Sequence, residues 1–312
     1  MKESEKPVQV YIAAAANLGI AVSKFVVAGI TGSSAILSEG IHSVADTGDQ
    51  LLLLLGIKRS RRKPDKTHPF GYGQELYFWG FMVAVILFSI GGGISIYEGI
   101  LRLRHGEEIT NHLWSYIVLA FAAVGESISF HSALKAFRKS LRPGEHWWRA
   151  FRSSKDPSVF LVLGEDAAAL LGIAVAACGV MLEQQLHSPV PDAIASIVIG
   201  LILSGVAVLL GFETKALLLG ESANKETVEE ISRIVTADPL VVRASPPLTM
   251  HFSPEEILLN MVVEFRPEAS GNAMIESIDR FESEIRRRFP MVRQIFIEAE
   301  SFRKRDPNRK MA

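Results

Sequence analysis

His42, Asp46 and Asp49 stand four and three residues apart, and on a helix that spacing places an imidazole and two carboxylates on one face. Glu165 and Asp166 are adjacent, about 100° apart around a helix axis. One ring nitrogen with several carboxylate oxygens is a ligand set for a divalent cation, and zinc accepts such sites in tetrahedral geometry. Glu98 and Glu126 are further candidates. The single cysteine, Cys178, cannot build a thiolate site, which excludes soft-metal Cu(I) chemistry. Between Ala177 and Gly179 it reads as a small buried hydrophobe. The plainer alternative is that these acids pair with Lys24 or with one another as structural glue.

The elements that would carry these groups are apolar. Of 312 residues, 48% are hydrophobic and 21% charged, and the apolar stretches fall between Val8 and Phe212, whereas the last hundred or so residues carry charge at soluble density. Six windows reach the roughly 20 apolar residues that span a bilayer core: Val8–Ile30, Ser33–Ile57, Phe78–Leu101, Trp114–Phe137, Ser158–Leu182 and Asp192–Phe212. This is an all-α, six-helix transmembrane domain over residues 1–212, followed by a domain of residues 213–312. An acid at the centre of such a span costs about 2.5–3.5 kcal/mol on insertion scales, so the buried acids are functional candidates by default.

Basic residues concentrate between spans two and three (Lys58, Arg59, Arg61, Arg62, Lys63, Lys66) and between four and five (Lys135, Arg138, Lys139, Arg142, Arg149, Arg152, Lys155), which predicts that both termini are cytoplasmic. Trp147 and Trp148 are expected as interfacial anchors. The leader before Val8 shows neither a cleavage site nor an Arg- and Ser-rich transit segment, and the expected location is a bacterial inner membrane, or an organellar membrane if the source is eukaryotic. A net charge of −1 gives no basic face for nucleic acid, and no nucleotide-binding or nucleophile motif appears.

In the tail, Asn224 stands as a cap before Val228, Ile231, Ile234 and Val235 at helical spacing. Leu259, Met261, Val263 and Phe265 alternate as in a strand. A second helix carries Ile275, Ile278, Phe281, Ile285 and Phe289, and Val292–Ile297 is a last strand. With Leu240–Phe252 as a proline-interrupted strand the order is α-β-β-α-β, a small two-layer α+β domain.

The run from Gly32 to Asp46, GSSAILSEGIHSVAD, resembles the cation diffusion facilitator family. A second match is PDKTHPFGYG from Pro64 to Gly73, and SKDPS at 154–158 with EDAAALLG at 165–172 is similar to the branch that contains mitochondrial zinc transporter 9. The resemblance implies a homodimeric antiporter that exchanges a divalent metal, zinc first, for protons, exporting it from the cytoplasm through a site between spans two and five, with a ferredoxin-like tail. His42 and Asp46 match the family's span-two ligands and Asp166 its span-five acid. Val162 occupies the span-five histidine position, Glu165 adjoins it, and Asn17 and Asp49 are candidate oxygen donors, so the fourth ligand stays open. Tyr72 stands at a loop-histidine position, leaving Asp65 and His68, and Val262 and Glu298 replace tail histidines while Glu300 keeps only acidic character. These departures point to structural roles for loop and tail, with His251 a satisfied strand histidine. No organic cofactor is implied. Mn²⁺, Fe²⁺ or Co²⁺ would suit an oxygen-richer site, and a transport-inactive membrane scaffold or metal sensor is the alternative of another class.

Overall fold

The structure, a computed structural model, describes residues 6–105, 111–140 and 156–300, with side chains except at 6–17, 139–140 and 157–159. The expected anchors Trp147 and Trp148 lie outside the described residues. The chain forms two compact units. One takes in the described residues up to Arg59 together with Glu75–Lys215, and the other joins Ser60–Gln74 to the described residues from Ala216 onward.

The first unit is helical: α1 Lys6–Thr31, α2 Ser34–Ser60, α3 Glu75–Ile86, a π-helical segment Leu87–Ile94, α4 Ser95–His105, α5 His112–Ser140, α6 Pro157–Leu186 and α7 Val190–Leu218. Among the described residues four stretches are long and apolar enough to cross a membrane: Glu75–His105, His112–Arg138, Phe160–Leu186 and Val190–Leu218. The described part of α1 is a shorter apolar stretch, Leu18–Thr31. Helix α2 differs in kind, because its buried face includes Ser34, Ser38, Glu39, His42, Ser43, Asp46 and Asp49. Polar groups on the packed face are what a helix shows when its partners, rather than lipid, are its solvent. Helix α5 shows the converse, with Leu113, Ile117, Phe121, Val124 and Ile128 turned outward at spacings of three or four. Cys178 corrects an expectation: it is exposed, on the outward side of α6, where an apolar thiol needs no burial within protein.

The π-helical segment contains Gly91, Gly92 and Gly93. Helix α7 meets this stretch at close range, since a Cβ on Gly200 would stand 2.8 Å from the Gly92 carbonyl oxygen and 2.9 Å from the Ile96 nitrogen. Backbone atoms cannot yield as a flexible side chain can, so glycine is required by the approach itself. Three glycines in succession also weaken the α-helical preference, which fits the wide turn formed here.

The second unit contains α8 Lys225–Thr236, β1 Val241–Ala244, β2 Leu248–Ser253, β3 Glu256–Phe265, α9 Gly271–Arg288 and β4 Val292–Ala299. The order is therefore α-β-β-β-α-β. The expected Leu240–Phe252 strand is two strands, both antiparallel to β3. Pro246 and Pro247 lack the N–H groups a ladder needs, and Ser245 bridges the gap by accepting from the Val262 nitrogen through its hydroxyl (2.9 Å). Strand β3 is central. Val263 pairs with Ala244 on one edge and Ala299 on the other, and Leu258 with Met250 and Gln294, so β4 runs parallel to β3 on the edge opposite β1 and β2.

The alternation in β3 buries Leu259, Met261 and Val263 against Ile231 and Val235 of α8 and Phe281 and Ile285 of α9. Two expected details differ. Ile275 is exposed while Ser277 is buried, and the Asn224 side chain makes no capping bond; Ser270 does cap α9, accepting from Ala273.

The segment Ser60–Gln74 folds within this second unit. Asp65 organises it, accepting from the Thr67 nitrogen (2.9 Å) and hydroxyl (2.8 Å), the His68 nitrogen (2.8 Å) and the Tyr72 hydroxyl (2.7 Å). The Phe70 ring stacks on Phe252 at 5.3 Å between centroids and meets Phe296 edge-on at 6.5 Å.

Candidate metal centre

The α2 sequence places His42 and Asp46 one turn apart, and the structure sets His42 Nδ1 3.3 Å from Asp46 Oδ1. Both are buried, as are Asp49, Glu165 and Asp166. The group is short of partners. Both ring nitrogens of His42, Asp46 Oδ1, both Asp49 oxygens and Glu165 Oε1 are buried without a hydrogen bond, in a setting where such groups are ordinarily satisfied. Orphaned nitrogen and oxygen lone pairs on neighbouring side chains are the donor set a divalent cation uses.

The two acids of α6 part company. Glu165 lies within electrostatic reach of both Asp46 and Asp49, whereas Asp166 accepts from the Ser129 hydroxyl of α5 at 2.8 Å. Glu126 of α5 is an electrostatic neighbour of Asp46 and of Asp166. Adjacent residues on a helix diverge by about 100°, and that divergence turns one acid toward α2 and the other toward α5. The structure thus brings His42, Asp46, Asp49 and Glu165 into one neighbourhood, with Asp166 and Glu126 along its α5 side. Among the described residues, no three His, Cys, Asp or Glu converge closely enough to hold an ion as they stand. Asn17 lies in α1, its side chain outside the described residues. Glu98 is half-buried in α4.

Lys24 answers the structural-glue alternative for a different acid. Its ammonium is wholly buried and donates to Glu39 Oε2 (3.0 Å), the Ser43 hydroxyl (2.8 Å) and the Glu39 carbonyl (3.3 Å). Glu39 in turn fills the space where a side chain at Gly172 of α6 would lie. Among the described residues the Lys24 ammonium bonds to neither His42 nor Asp46, whose near neighbour is each other at 3.3 Å.

In the second unit both Asp65 oxygens are engaged, and the Tyr72 hydroxyl bond in particular holds its carboxyl well below the usual carboxylate range, helped by Thr67 and the His68 nitrogen. The same bond raises the Tyr72 phenol. Val262 and Glu298 face each other across β3 and β4, and His251 is a buried strand residue whose Nδ1 lies 3.2 Å from the Ser253 carbonyl.

Residues 10–219 match the model of the cation efflux transmembrane domain. The chain belongs to the cation efflux family. Among similar proteins, the mitochondrial proton-coupled zinc antiporter SLC30A9 of Xenopus laevis is 37% identical over 68% of this chain and 38% of its own length. Metal tolerance protein C4 of Arabidopsis thaliana is 30% identical over 70% of this chain and 48% of its own. The manganese efflux system protein MneP of Bacillus subtilis is 27% identical over 72% of each. This chain spans under half the length of the zinc-antiporter and metal-tolerance relatives. The helical unit from residue 10 onward, α2 and α6 included, lies within the family match, and the four strands of the tail lie beyond it.

Proposed function

We propose that this cation efflux protein is a proton-coupled antiporter that moves a divalent metal, zinc foremost, through the intramembrane centre at His42, Asp46, Asp49 and Glu165. Asp166 and Asn17 complete the candidate donors. The observation that carries this is the set of orphaned lone pairs on buried side chains of α2 and α6. Acids are costly in a bilayer, and buried acids with orphaned oxygens mark a cation site by default. The same lone pairs bind either a proton or the metal, so loading releases protons and protonation expels metal. The site loads from the cytoplasm, helix rocking exposes it to the other face, and protons displace the ion there.

In this reading α1 and α2 join the four long apolar stretches to make six spans, the basic loops hold both termini in the cytoplasm, the tail is ferredoxin-like, and two copies form the working unit. The zinc-antiporter relative supports the metal and the coupling. One observation favours a second cargo. The centre offers one imidazole against several carboxylates and no thiolate, a hard donor set that suits Mn²⁺, and a manganese efflux protein is among the relatives.

Reconstituted protein is expected to move Zn²⁺ down an imposed pH gradient, and Asp46→Ala and Glu165→Gln are expected to abolish that flux. Manganese flux without zinc flux would change the cargo and keep the antiporter. No flux of either ion from folded wild type would replace it with a scaffold or sensor.

A further inference from the structure

The ends of α1, α4 and α6 and the starts of α2 and α7 lie at one pole of the helical unit. Asp192 of α7 lies fully buried there. Its Oδ1 accepts from the Ser33 hydroxyl (2.5 Å), and its Oδ2 accepts from the Ser34 nitrogen (2.7 Å), the Ser34 hydroxyl (2.9 Å) and the Ala35 nitrogen (3.3 Å). An acid from one helix therefore caps another, at the end where the helix dipole favours negative charge. Arg102 of α4 closes the arrangement. Its Nε is 3.2 Å from Asp192 Oδ2, its Nη2 is 3.4 Å from Glu183 Oε1 of α6, and it donates to the Gly32 carbonyl.

One turn inward the Ser38 and Ser196 hydroxyls are 2.5 Å apart, and Ser196 donates to the Ser95 carbonyl at 2.8 Å. The next turn of α2 brings His42. Ser34, Ser38, His42 and Asp46 recur every four residues, so one face of α2 is polar from the candidate metal centre to the pole, a distance from His42 to Ser34 of about 12 Å.

We propose that this cluster is the closed gate at this pole of the helical unit, with Asp192 and Arg102 as positioning residues whose contacts must break before the ion leaves. The inference rests on the antiport reading above. Helices α4 and α7 pack backbone to backbone, because a Cβ on Gly99 would stand 2.7 Å from the Ala193 carbonyl oxygen, and in the proposed opening Arg102 and Asp192 stay together. The plane of opening lies between that pair and the α1–α2 turn with Glu183. The bonds named above that cross it are hydrogen bonds and ion pairs, which water or a hydrated cation can replace. With the contacts made, α2 is held at its first turn and its polar face is covered; with them broken, that face has an aqueous exit.

The test places Ser38→Cys in a Cys178→Ala background, reconstitutes the protein, and measures labelling by a membrane-impermeant maleimide from each side. Asp192→Asn and Arg102→Gln are each expected to speed labelling from the face at this pole at least about tenfold. Arg102→Lys, which keeps the charge, should label near the parent rate, and Zn²⁺ binding in detergent should stay within about twofold in all three. Unchanged labelling in both uncharged variants would overturn the gate, as would faster labelling from the opposite face or faster labelling accompanied by lost Zn²⁺ binding. If Asp192→Asn does not fold, Arg102→Gln decides alone. A labelling difference in a protein that moves no metal would support the gate while sinking the antiport reading.

Discussion

At the scale of the residue, the side chains of the helical unit divide into those with partners and those without. Lys24 and Glu39 are wholly buried and 3.0 Å apart, and breaking such a pair leaves an uncompensated charge at a cost of about 3–5 kcal/mol. Lys24→Met is therefore expected to lower thermal stability in detergent sharply, and adding Glu39→Gln to recover much of the loss; equal loss in single and double variants would show that the pair is not coupled. In the tail, Glu284 accepts from Arg287 and Arg288, whose hydrogen bonds pull its carboxyl down to about 2. A group depressed in the folded state stabilises above its unfolded value and loses that contribution as pH falls. The Glu284 interaction is thus complete near neutrality and disappears between its ordinary 4.5 and about 2, and Glu284→Gln should flatten tail stability over that window when followed by circular dichroism. His42, Asp46 and Asp49 are legible as one helix face because a fixed period relates them. That Lys24 pairs with Glu39, fifteen residues away, is not legible, since no local rule says which buried acid a lysine will meet across a helix contact. The divergence of Glu165 and Asp166 is legible from helix geometry, but the partner each meets depends on where α5 lies.

At the scale of the element, the apolar windows correspond to helices because length and lack of charge are properties of each segment alone. The π-helical turn at Leu87–Ile94 was not visible in the glycine run, which announces close packing without its geometry. Helix α7 makes that packing testable. Gly200→Ala puts a methyl against the Gly92 carbonyl and the Ile96 nitrogen, and overpacking of this kind costs about 1–3 kcal/mol. The variant is expected to unfold at lower temperature in detergent, and wild-type stability would mean that α4 and α7 separate more easily than their contact suggests. Strand alternation located β3, whereas the split into β1 and β2 follows from two adjacent prolines whose effect depends on which edge faces a partner.

At the scale of the whole molecule, the chain leaves the helical unit after Arg59, contributes Ser60–Gln74 to the second unit, returns at Glu75, and leaves again after Lys215. Phe70→Ala removes the ring stacked on Phe252 and set edge-on to Phe296, and loss of a stacked pair is worth about 0.5–1.5 kcal/mol beyond its buried area. In the full-length protein, hydrogen exchange in β2 and β4 is expected to quicken in this variant, and unchanged protection would show that the segment only rests on the sheet. The same topology decides where the protein can be cut. A gene fragment starting at Ala216 encodes every strand and helix of the tail, yet omits the piece that supplies Phe70, and its product would carry Phe252 and Phe296 with bare aromatic faces. A faithful excised tail needs a splice, with residues 60–74 supplied on a tether or as a separate peptide, so the second unit is one folded body written in two separated stretches of the reading frame.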